Sequence, residues 1–186
     1  MKYLMIALLA VAPSTAAFAL NYSESVNGDL SGNENAPTQL TFNPGVNSVS
    51  GVMGRDEPGD PVDRDFFTFT LAPGQSLTSI NVLQFDPIGS SFYAIAAGTS
   101  INITDPANHL SNILVSGPGE ILDDLDASSY SGGIGLNAPL GSGTYTIWFQ
   151  ELASVVTYKF NYTVVPEPAA LGAFGITIGI LRRRRN

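Results

Sequence analysis

The sequence predicts an all-β chain: an antiparallel two-sheet sandwich of jelly-roll type, flanked by an N-terminal signal helix and a short C-terminal apolar helix. Three observations predict it. Segments of apolar–polar alternation recur through the middle of the chain, and turn chemistry interrupts them at short intervals. Outside the two ends, no window carries a run of apolar residues at helical spacing.

The elements follow in order. Residues 20–38 are polar and weakly patterned and read as a first edge strand or a loose arm. Strands are expected at 39–42 and 46–53. From Asp65 to Leu71, alternation puts Phe67, Phe69 and Leu71 on the core side and Phe66, Thr68 and Thr70 on the other. Ala72-Pro73-Gly74 closes that strand with turn residues. In 77–85 the alternation breaks between Val82 and Leu83, which predicts a bulge. Further strands are expected at 91–98 and 113–116. Residues 122–135, rich in Asp, Ser and Gly, read as an irregular surface loop. In 143–149, Tyr145, Ile147 and Phe149 point inward with Trp148 opposite, and 151–154 forms a short connection. In 157–164, Tyr158, Phe160, Tyr162 and Val164 share one face, against Thr157, Lys159, Asn161 and Thr163. Asn43-Pro44-Gly45, Asp86-Pro87, Asp105-Pro106, Gly117-Pro118-Gly119 and Gly141-Ser142-Gly143 mark the turns.

Both ends of the chain are directed at a membrane. Met1-Lys2 gives a positive start, residues 4–12 an apolar core, and Ala17-Phe18-Ala19 a small-x-small cleavage pattern with Ala17 and Ala19 as the small residues. This is the pattern of a secretory signal peptide, with Leu20 as first mature residue. At the other end come Val165-Pro166-Glu167-Pro168, thirteen largely apolar residues (169–181), then Arg182, Arg183, Arg184 and Arg185. Thirteen helical residues span about 20 Å, against roughly 30 Å of hydrocarbon. The prolines keep the Glu167 backbone extended, and the arginines hold their end in the cytoplasm. A permanent tail anchor is the alternative, opposed by the short span and by Gly172, Gly175 and Gly179. The chain therefore divides into a signal peptide (1–19), an exported β-sandwich domain (20–164) and a tail (165–186).

In this order the tail parts closely resemble the PEP-CTERM sorting signal. That resemblance implies that Pro166, Glu167 and Pro168 are recognised by an exosortase, a membrane protease that cuts the tail after transient membrane insertion. It also implies association with exopolysaccharide, in biofilm or floc. A second resemblance covers about half of the mature chain. Asp63-Arg64-Asp65-Phe66-Phe67-Thr68-Phe69-Thr70-Leu71, then Pro73-Gly74-Gln75-Ser76-Leu77, and later residues 140–147 (Leu-Gly-Ser-Gly-Thr-Tyr-Thr-Ile), are similar to the bacterial pre-peptidase C-terminal domain. It implies a small β-sandwich and says little about a ligand.

Charge and composition narrow the function. The formal net charge is −8, but five of the eight basic residues lie in the two ends. Residues 20–164 keep Arg55, Arg64 and Lys159 against fifteen acids, a balance of −12. Such a surface repels nucleic acid and anionic lipid. With no cysteine and one histidine, His109, thiol catalysis and a nitrogen–sulfur zinc site are excluded. His109 is expected in an exposed turn, and no G-x-S-x-G elbow accompanies it. Catalysis is not indicated. The densest acidic run, 56–65, reads as a solvated loop. The alternative is a weak calcium site in which Asp60, Asp63 and Asp65 converge, although the spacing is not that of an EF-hand. Asp123, Asp124 and Asp126 form a weaker acidic patch. Trp148 and Phe66, facing away from the core row, present either a sugar-stacking platform or a second buried face, the latter being the ordinary arrangement. Asn21-Tyr22-Ser23, Asn102-Ile103-Thr104 and Asn161-Tyr162-Thr163 fit the glycosylation pattern.

The expectation is an exported, non-enzymatic protein of the cell surface or matrix, handled by the secretion machinery, signal peptidase and an exosortase. A calcium-dependent carbohydrate-binding module and a secreted polysaccharide-active enzyme are the rival readings.

Overall fold

A computed structural model describes residues 18–127 and 130–167. Among the described residues, ten strands form two five-stranded sheets packed face to face. Sheet A has the order β1 (Asn21–Ser23), β3 (Gly45–Gly54), β10 (Val155–Pro166), β5 (Gln75–Asp86), β8 (Gly119–Glu120). Sheet B has the order β2 (Thr38–Leu40), β4 (Arg64–Leu71), β9 (Gly143–Gln150), β6 (Ser91–Ala97), β7 (Ser111–Val115). Strands pair as β3 with β10, β4 with β9, β5 with β8 and β6 with β7. That is one long hairpin, folded between β6 and β7. It is rolled up so that β10 also meets β5 and β9 also meets β6. The expected jelly roll is present. It departs from the expectation at the N-terminus: β1 and β2 run parallel to β3 and β4, so both sheets are mixed.

Alternation accounts for the core. On β10, Tyr158, Phe160, Tyr162 and Val164 are buried. On β4, Phe67, Phe69 and Leu71 face them from the other sheet. Phe149 meets Phe160 edge-on at 4.8 Å and Tyr158 at 5.1 Å between ring centroids, a favoured aromatic geometry. Deep in the core, the Tyr93 and Tyr162 hydroxyls satisfy each other at 3.2 Å. β5 keeps its apolar residues inward only by carrying two irregularities. Lys159 pairs with Gln84 but Phe160 with Val82, so Leu83 bulges out, as the broken alternation predicts. A second shift, at Thr78, brings Leu77 back into register with Val164.

Residues expected to be loop or exposed prove to be structured. Leu122–Ala127 is an α-helix (α2), not an irregular loop, because Leu122 and Leu125, one turn apart, are both buried in the core. His109 is fully buried rather than exposed: its Nε2 lies 2.8 Å from the Asn102 carbonyl, and its ring packs edge-on to Trp148. Phe66, Trp148, Ala94, Ala96 and Ile101 make a second cluster on the outer face of sheet B, under the β6–β7 connection. Both faces of β4 and β9 are thus covered there, and the Trp148 ring is packed away from solvent. Among the described residues no helix is long and apolar enough to cross a membrane.

The core account predicts a contrast. Phe149→Ala should cost about 3–5 kcal/mol in urea unfolding. Leu83→Ser, at the exposed bulge, should stay within about 0.5 kcal/mol of wild type.

Candidate metal centre

One carboxylate breaks the alternation rule. Asp65, Phe67, Phe69 and Leu71 share one side of β4 by parity, so Asp65 stands in the core-facing row. It is 1% exposed, neither of its carboxylate oxygens meets a partner in good hydrogen-bond geometry, and the Tyr158 hydroxyl gives its charged form only partial support. An unpaired buried carboxylate is among the costliest groups a fold can contain.

Two acids from the N-terminal segment meet it. β1 runs parallel to β3 with Ser23 beside Ser50, which sets Glu24 against Gly51. Glu24 opens the short helix α1 (Glu24–Asn27), and its Oε2 accepts the Val52 N–H at 2.7 Å. Its Oε1 accepts the Leu30 N–H at 3.2 Å and the Tyr158 hydroxyl at 3.4 Å. A methyl group at Gly51 would overlap this carboxylate, so the absence of a side chain there makes the Glu24 position possible. Asp29 follows on the same segment and is exposed. One oxygen from each of Glu24, Asp29 and Asp65 lies within 4.8 Å of the others. The Tyr158 hydroxyl faces the group from sheet A.

Burial pushes the Asp65 carboxyl up to about 9, helped by the neighbouring Glu24 charge. Burial also raises Glu24 and Asp63, and the nearby Asp29 adds to both. Tyr158 is raised strongly by burial, then by the Asp65 and Glu24 charges. The charges that act on Asp65 are those of Glu24, Asp63 and Asp29, and the Tyr158 hydroxyl opposes them in part.

The expected calcium ligands separate. Gly54 and Asp63 pair through both backbone hydrogen bonds, at 3.0 and 2.7 Å, and close the neck of the β3–β4 loop. Asp60 lies beyond that neck and is exposed, so the described geometry does not bring it to Asp65. Asp63, half-buried at the neck, borders the group. Asp65 belongs to it. Glu24 and Asp29 were not anticipated.

At the two termini, Pro166 ends β10 and pairs with Gln75, and the Glu167 N–H donates to the Gly74 carbonyl at 2.7 Å. Glu167 is exposed. Ala19 is half-buried beside Gly45. Ala17, Pro168, Arg182, Arg183, Arg184 and Arg185 lie outside the described residues. A scan against protein-family models finds no match, and a search of curated proteins finds none either.

A buried carboxyl raised from 3.8 to about 9 fixes a pH dependence for protein kept in chelator. Between those values the native state holds a proton that the unfolded state has lost, so stability falls as pH rises through this window. The melting temperature at pH 8.5 should lie about 5 °C or more below that at pH 5. Asp65→Asn should flatten the decline. A wild-type decline left intact in that variant would assign it to other acids.

Proposed function

We propose that the protein is an exported, non-enzymatic component of the cell surface or extracellular matrix, released from the membrane by an exosortase acting at its C-terminal tail. The positions of the two domain ends support this reading. Leu20 is held between Asn47 and Ser48: its N–H donates to Asn47 Oδ1 at 2.9 Å, and its carbonyl accepts the Ser48 N–H at 2.8 Å. On the other side of β3, Tyr162 pairs with Asn47 and Val164 with Gly45. The chain preceding Leu20 and the chain following Val164 therefore leave sheet A at the same end. One strand lies between them, about 10 Å apart at ordinary strand spacing. Two membrane-directed segments sharing one pole let the domain stand over a single membrane surface without its chain being threaded around it.

Charge is arranged to suit. The β3–β4 loop, with exposed Asp56, Glu57 and Asp60, lies at the far end of β3. The seven residues from Gly45 to Gly51 span about 20 Å. The acidic cluster and loop thus stay clear of an anionic bilayer at the other pole. The resemblance of the tail extends the proposal to exopolysaccharide as the material that the released domain joins.

Glu167→Ala should leave the protein uncut and membrane-bound in a host with the processing enzyme, with the sandwich intact because the Glu167 side chain is exposed. Western analysis of membrane and released fractions reads the outcome. Release at the wild-type level would reject recognition at this motif.

A further inference from the structure

We propose that Glu24, Asp29 and Asp65 bind one divalent cation, calcium rather than magnesium, which fastens the N-terminal segment to the end of the sandwich core. The argument begins with Asp65. Its two oxygens are buried without a partner in good hydrogen-bond geometry, and one of them sits within 4.8 Å of the Glu24 and Asp29 carboxylates. A cation placed among the three carboxyl groups would give the buried Asp65 oxygens the partner they lack. A solvated acidic patch would show exposed, hydrated carboxylates. Here one carboxylate stands in the core row and the other two are brought to it by the chain.

The dimensions suit calcium. Oxygens bound to one calcium at 2.3–2.6 Å are separated by at most about 5 Å, and these lie within 4.8 Å. Magnesium requires a near-ideal octahedron at about 2.0–2.1 Å and gives up its water reluctantly. A set drawn from a helix start, a loop and a strand, with one exposed member, matches the irregular geometry that calcium tolerates. Glu24 accepts the Leu30 N–H and the Tyr158 hydroxyl on Oε1 and the Val52 N–H on Oε2, which fixes its orientation and leaves a lone pair on Oε2 for a cation. Water would complete the six to eight oxygens that calcium takes. With one ligand exposed, affinity should fall in the range of extracellular modules, on the order of 10⁻⁴–10⁻³ M.

The cation would act as a clamp. Glu24 and Asp29 belong to the segment that supplies both parallel edge strands, and Asp65 belongs to β4 in sheet B. Beyond the clamp the same segment continues through Ser31, whose carbonyl accepts the Phe66 N–H at 2.9 Å. Binding therefore ties β1 and the start of the β1–β2 connection to the opposite sheet. This proposal is independent of tail processing, and either can fail alone.

The test uses the full chain, purified in chelator and then titrated with calcium chloride, magnesium chloride in parallel. Calcium should bind one site by calorimetry and raise the melting temperature by about 3–6 °C at saturation, magnesium much less. Asp65→Asn should abolish the shift. Asp29→Asn changes an exposed side chain and keeps the fold, so it tests the site even if Asp65→Asn does not fold; it should weaken calcium about tenfold or more. Gly51→Ala should weaken binding without removing a ligand, by displacing the Glu24 carboxylate. Absence of calcium heat and of any thermal shift in the wild type would overturn the proposal. So would an unchanged calcium response in Asp29→Asn, which would assign binding to the acidic surface at large.

Discussion

Strand β10 is the last strand among the described residues and the middle strand of sheet A, paired with β3 on one side and β5 on the other. Its inward row of Tyr158, Phe160, Tyr162 and Val164 supplies much of the aromatic core. A sheet whose central strand is made last cannot close until that strand arrives. Nearly all its contacts are remote in sequence, and such topologies fold slowly. The domain is thus open for as long as its C-terminus is withheld, a state compatible with passage across a membrane before folding. Only Glu167 separates the end of β10 from the first residue of the tail outside the described chain. The strand that completes the fold also positions the proposed sorting motif.

The opposite end of the core is closed differently. Where the β4 row would continue with an apolar residue, it carries Asp65. Where β10 continues, it carries Tyr158. Local rules tend to be broken at places that serve a purpose other than stability, and the departure here is large. The Glu24 side chain fits only because Gly51 has none. A protein without cysteine has no disulfide to secure an N-terminal segment that pairs through two three-residue edge strands. A cation between that segment and β4 would supply such a tie.

The sheets were largely legible in the sequence, since alternation in 65–71, 143–149 and 157–164 names the core residues directly and the bulge at Leu83 shows as a break in phase. Helix α2 was not legible. Two leucines among four Asp and Ala residues are too short a pattern to distinguish from a loop, and only burial against β5 and β7 reveals it. His109 was misplaced because the local run Asp105-Pro106-Ala107-Asn108 does form a turn, yet that turn folds over the outer face of sheet B. In the acidic cluster, Asp65 carried a usable signal: it stands in phase with Phe67 and Phe69, which marks it as a core position. Glu24 carried none. Its approach to Tyr158, 134 residues away, depends on the parallel pairing of β1 with β3. Acidic residues clustered in sequence, such as Asp60, drew attention away from those clustered in space.

The proposed sorting requires that the molecule leave the cytoplasm and lose its ends there. Intact-mass spectrometry of the protein recovered from its native host tests this most directly. The account predicts a species that begins at Leu20 and lacks the apolar run and the arginines. A full-length chain ending in Asn186, recovered from a host that processes other substrates of the same kind, would contradict it.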